Sequence, residues 1–218
     1  MTEAIAPYIY NHSDYATETF TYFDLTTPNN VRITSIVNHI LQDKDGNLWF
    51  STNGQGLFRY NLSKNYLEQY EFTSAFGIVA STMADSDNQI WALTNQGESG
   101  VYKLNKAKNK FEPFGLLYNA GNHHSQALAM LEDSEQTLWL GTWECGLQKI
   151  DKYTRQTTTY LHPTDGKGVT HIHSLMEYAP HQLLIGSDDG LLLFNTLNEE
   201  YKLFTENETI TDSLTNSF

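Results

Sequence analysis

Short apolar runs alternate with polar, glycine-containing breaks along the chain. Residues 43–61, DKDGNLWFSTNGQGLFRYN, show the unit. A tight-turn sequence leads into an apolar run with a tryptophan. A glycine-rich break follows, and a second apolar run ends at Tyr60. Runs this short, bounded by Gly, Asn and Asp, predict a β-hairpin. No stretch combines a helical apolar period with caps, and the most helix-like window, Ser125–Asp133, fits a strand equally well.

The hairpin recurs as DNQIWALTNQGESGVYKLN, EQTLWLGTWECGLQKID and HQLLIGSDDGLLLFN. The anchors Trp49, Trp91, Trp139 and Leu184 are spaced by 42, 48 and 45 residues. Each is followed by a glycine (Gly56, Gly100, Gly146, Gly190) and another apolar-rich run. One further strand precedes each unit (SIVNHILQD, ASTMADS, ALAMLED, SLMEY), and an aromatic one ends it (YLEQYEF, KFEPF, TTTYL, YKLF). One four-stranded sheet cannot bury both of its faces. Several stacked around an axis can, and a period near 45 residues is that of a propeller. A β-sandwich or β-solenoid would not need the repeated Trp-Gly pattern. The expected fold is therefore all-β: a β-propeller of four-stranded antiparallel blades. Full blades are expected at 26–72, 73–115, 116–162 and 163–205, with a half blade at 1–25 and the start of another at 206–218. The chain reads as a segment of a larger propeller.

Composition narrows the function. With 13 basic and 26 acidic residues the formal charge is −13, which argues against nucleic acid and anionic lipid as partners. The single cysteine, Cys145, permits neither an intrachain disulfide nor a cysteine zinc cluster. No apolar run is long enough to span a membrane, so the segment is not expected to be membrane-embedded. The opening MTEAIAPYIY lacks the basic and apolar regions of a signal peptide.

LWFSTNGQGLFRYN and LWLGTWECGLQKID, each behind an acidic turn, resemble two-component regulator propeller repeats. The second unit departs from that pattern at Ala92-Leu93-Thr94. The fourth has Leu184 for Trp but keeps Ile185-Gly186-Ser187. The resemblance covers nearly the whole chain. It implies a periplasmic sensor region of an inner-membrane receptor, upstream of a histidine kinase or diguanylate cyclase, in a group where many members sense oligosaccharides. It specifies a scaffold and leaves the ligand open.

Chain direction places the fourth-to-first and second-to-third loops on one face. That face is expected to gather Arg32, Asn53, Gln55, Glu98, His124, Trp143, Glu144, His171, His173 and Asp188 as candidate ligand-binding residues. Trp139 fills the core slot, so Trp143 is an additional tryptophan. It can stack on a sugar ring, with Glu144 accepting hydroxyl hydrogens; the plainer alternative is that it packs on the next blade. His171 and His173 are two apart and share a strand face, yet a metal site needs three or four converging ligands, so none is expected. DKDGN places Gly46 fourth and Gly54 twelfth, which fits a hairpin turn and not a calcium loop. Serine elbows, HExxH and phosphate loops are absent. No catalytic residue, metal or cofactor is expected.

Three functions follow. The leading one is a non-enzymatic sensor of a solute such as an oligosaccharide. The second is a propeller lyase or glycoside hydrolase using the histidines. The third is a protein-interaction propeller, since unpaired strand edges at incomplete blades invite another chain and predict a homodimer.

Overall fold

The computed structural model describes residues 8–9, 21–22, 25–70, 72, 77–94, 100–116, 126–161 and 169–204. Two short strands, β1 (Tyr8–Ile9) and β2 (Thr21–Tyr22), pair antiparallel. Four antiparallel four-stranded sheets follow. Blade I is β3 (Val37–Gln42), β4 (Leu48–Thr52), β5 (Leu57–Asn61) and β6 (Tyr66–Tyr70). Blade II is β7 (Ser81–Ala84), β8 (Ile90–Thr94), β9 (Gly100–Asn105) and β10 (Lys110–Leu116). Blade III is β11 (Ala127–Glu132), β12 (Leu138–Thr142), β13 (Leu147–Ile150) and β14 (Thr157–Tyr160). Blade IV is β15 (Ile172–Ala179), β16 (Gln182–Ser187), β17 (Gly190–Asn195) and β18 (Tyr201–Phe204). In every blade, strands adjacent in sequence are adjacent in space.

The second strands carry the apolar runs because both of their faces are covered. All five residues of β8 and of β12 are buried. Each anchor tryptophan packs with the following blade. Trp49 clusters with Ile90, Ala92 and Tyr102; Trp91 with Leu138 and Leu140; Trp139 with Ile172, Ile185 and Phe194. The first strands of successive blades lie side by side, β3 by β7, β7 by β11 and β11 by β15. They alternate in burial where one face is open, as in β3.

The acidic turn does more than reverse the chain. Asp43, Asp85 and Asp133 are buried, and each accepts the indole N–H of the tryptophan six residues on, at 2.8, 2.9 and 2.7 Å. The other carboxylate oxygen accepts two turn amides, those of Asp45 and Asn47, Asp87 and Gln89, or Glu135 and Thr137. A carboxylate so surrounded by donors resolves two problems together: its own burial and that of the indole N–H.

Neighbouring blades are latched beside these turns. Ser86 donates from its amide to Glu132 at 2.5 Å, and Ser134 donates from amide and hydroxyl to Glu177 at 2.8 and 2.6 Å. Lys152, with 6% of its side chain exposed, pairs with Glu132 and lies 3.8 Å from Asp85. Burial opposes its charge. The hydrogen bond and charge of Glu132, with the charge of Asp85, outweigh that and hold the ammonium above the ordinary lysine range.

Candidate functional site

The second-to-third loops begin with a fixed device. Thr52 and Thr142 each donate a hydroxyl hydrogen to the carbonyl of the repeat glycine, Gly56 or Gly146, at 2.7 Å. The same hydroxyls accept the amides of Gln55 and Cys145, at 3.1 and 2.9 Å. Gly56 and Gly146 have φ of 76° and 66°, a left-handed turn that favours glycine. The loop is thereby closed, Cys145 is turned into the core, and the residue after the threonine is left at the surface. That residue is Asn53 in blade I and Trp143 in blade III; Asp188 holds the matching place after Ser187 in blade IV.

Trp143 is therefore presented by its scaffold. Its amide donates to the Gln126 carbonyl at 2.9 Å, and its carbonyl accepts the His171 amide at 3.2 Å. The backbone is tied to the entrances of blades III and IV. The indole stacks on the His171 ring, with centroids 3.7 Å apart and planes at 25°, and is still 38% exposed. Trp49, Trp91 and Trp139 are no more than 1% exposed.

One carboxylate holds both histidines. Asp188 Oδ2 accepts from His171 Nδ1 at 2.5 Å, and Oδ1 accepts from His173 Nε2 at 2.7 Å. Pairing of Ile172 with Ser187 across β15 and β16 brings these residues together. His171 adopts φ of 45° just before β15. Beside it, Asp189 accepts the amide and hydroxyl of Thr170 at 2.7 and 3.0 Å. The His171 hydrogen bond first, and the His173 bond second, hold the Asp188 carboxyl below the ordinary carboxylate range. A depressed folded value means that Asp188 contributes stability above the ordinary carboxyl pKa and loses it as pH falls through the folded one. Thermal unfolding of wild type and Asp188→Asn should differ slightly at neutral pH and converge in acid. A gap that persists below the folded pKa would contradict the linkage.

The remaining candidates divide. Gln55 is held inside blade I: its Oε1 accepts the Thr34 and Ser35 amides at 2.7 and 2.8 Å, and its Nε2 donates to the Arg32 carbonyl at 3.0 Å. Arg32 and Asn53 are exposed beside it. Glu144 is exposed next to Trp143. Glu98 and His124 lie outside the described residues. Among the described residues, no group of three or more His, Cys, Asp or Glu is placed to hold a metal ion.

Sequence reasoning did not single out His39. It lies on β3, with Nδ1 3.4 Å from the Thr82 hydroxyl of the next blade. Burial lowers its pKa. Only its place on a first strand could have pointed to it.

The repeat carrying the first of these loops has a recognised counterpart. Residues 30–54 match the family model described as two component regulator propeller. The match covers residues 30–54, and the fold of the chain is a β-propeller. The propeller is 27% identical over 215 residues to a protein named histidine kinase P4 from Formosa agariphila, covering 94% of this chain and 15% of that one. It superposes with a TM-score of 0.67 on a domain described as the extracellular domain of a hybrid two component system from B. thetaiotaomicron. Identity there is 22%, over 88% of this chain and 25% of that one. It also superposes on virginiamycin B lyase from Staphylococcus aureus, with a TM-score of 0.65 and 17% identity, over 87% of this chain and 60% of the lyase. At these identities the solved structures speak to the fold. This propeller spans about a quarter of that extracellular domain and a smaller part of the kinase.

Proposed function

We propose that the propeller is a ligand-sensing segment of a bacterial two-component or related receptor, on the periplasmic side of the inner membrane. It binds a solute such as an oligosaccharide on its loop face and is not itself an enzyme. The regulator propeller repeat and the kinase relative support the setting. One observation carries the binding reading: Trp143 is kept exposed by a closed loop while Trp139 already fills the core position of the same blade. Its stack on His171 leaves one indole face for a sugar ring. Glu144 and the Asp188 carboxylate supply acceptors for hydroxyl groups nearby.

The test is calorimetric titration of the chain with a panel of neutral and acidic oligosaccharides. A ligand that binds wild type should lose at least tenfold in affinity to Trp143→Ala, while the unfolding temperature changes little. Loss of a stacked aromatic contact plus its buried area is worth about 1.5–3 kcal/mol. Binding unchanged in Trp143→Ala would remove this site from the account.

A further inference from the structure

We propose that a second site, on the face opposite Trp143, takes a small molecule bearing a phosphate or sulfate ester. It is the cleft of about 400 Å³ between blades II and III, on the side of the acidic turns. Four of the chain's 13 lysines and arginines line it, Lys103, Lys106, Lys152 and Arg155, in a protein whose acids outnumber its bases two to one.

Most of that charge is uncompensated. Lys152 is neutralised by Glu132 and Asp85. Glu112, the acid lining the cleft, pairs with Lys108 at 2.8 Å and accepts from Asn105 at 3.2 Å. The other three cations have no carboxylate partner among the described residues. Lys106 donates to the Asn88 carbonyl at 2.7 Å. Lys103 Nζ lies 5.0 Å from the Trp91 ring centroid, and the Arg155 guanidinium 5.0 Å from that of Phe114. These ring contacts fix the long side chains in place without satisfying their N–H donors. A concave site with three unmatched positive charges focuses anions.

The walls indicate the rest of the ligand. Pro113, Phe114 and Leu104 give the cleft an apolar side. Tyr153 stands at its edge, 83% exposed. The volume is that of a small-molecule site and exceeds what a bare oxyanion fills. The Arg155 guanidinium suits the planar, paired acceptors of a phosphate or sulfate group, with the organic body against the exposed Pro113 and Tyr153.

The experiment titrates the chain with glucose 6-phosphate and, in a separate arm, glucose 6-sulfate, at constant ionic strength, followed by amide chemical shifts. Sodium chloride and glucose are controls. Saturable shifts centred on residues 103–106 and 153–155 with either ester are expected, and the arm that binds tighter names the group. Arg155→Gln, and separately Lys106→Gln, should each weaken binding about tenfold while the unfolding temperature stays near wild type. Lys106→Gln keeps the test valid if loss of the Arg155–Phe114 contact disturbs the fold. Shifts no larger than those from chloride, or binding equal in wild type and both variants, would overturn the proposal.

Discussion

Asp133→Ala should lower the free energy of unfolding by about 3 kcal/mol, an unusual cost for one polar side chain. The substitution orphans the Trp139 indole N–H and the Glu135 and Thr137 amides, all of which point at that carboxylate. Trp139 cannot turn to water, because it is 1% exposed and packed on Ile172, Ile185 and Phe194. For a chain of this size the loss corresponds to a fall of roughly 6–12 °C in unfolding temperature. Blade IV shows the logic from the other side. Where Leu184 stands in place of tryptophan, Tyr178 occupies the position six residues earlier, and the turn contracts to Pro180-His181 between the paired Ala179 and Gln182. Carboxylate and indole are absent together. A double-mutant cycle of Asp133→Ala with Trp139→Leu should accordingly give a coupling of about 1 kcal/mol or more. Additive costs in thermal or urea unfolding would mean that the two act independently.

Gly146→Ala should cost a comparable amount and also damage the loop face. At φ of 66° an alanine is strained by about 1–2 kcal/mol before any contact is considered. A Cβ there would lie 2.6 Å from the Leu161 carbonyl oxygen and against the Tyr160 carbonyl as well. Both are backbone atoms on and just beyond β14, so neither can swing aside, and crowding adds about 1–3 kcal/mol. The Gly146 carbonyl is the acceptor for the Thr142 hydroxyl, which closes the loop carrying Trp143. Urea unfolding should show the stability loss, and near-ultraviolet circular dichroism should show a changed Trp143 environment. Gly46 is the internal control. It also has positive φ, at 80°, but a Cβ there meets nothing within 4 Å, so Gly46→Ala should cost only the conformational strain.

The four-stranded antiparallel architecture was legible in the periodicity, because strands buried on both faces and turns needing Gly or Asn leave a local trace. The strands framed by LFRYN, VYKLN, LQKID and LLLFN are β5, β9, β13 and β17. Long-range roles left no such trace. The six-residue spacing from Asp to Trp is visible in DKDGNLW, DSDNQIW and DSEQTLW, yet nothing local says that the carboxylate reaches the indole. Lys152 looks like an exposed turn lysine, and only the packing of blade II on blade III buries it. Asp188 reaches His171 and His173 through the β15–β16 register, which sequence does not display. Gln55 has the composition of a binding residue, but the fold uses both ends of its amide to tie down residues 32–35. That Trp143 lies outside the core slot was readable because Trp139 fills that slot in the same blade, and its stack on His171 is the packing on the next blade that was the plainer alternative.

The most direct test of the central claim is tryptophan fluorescence with acrylamide as quencher, in the presence of the tightest-binding solute from the calorimetric panel. Three of the four tryptophans are fully buried, so quenching of the native chain reports on Trp143. Saturating ligand should protect that tryptophan, and protection should follow the same binding curve as the heat. Full binding by calorimetry with Trp143 still open to acrylamide would contradict the account, because the ligand would then sit elsewhere on the propeller.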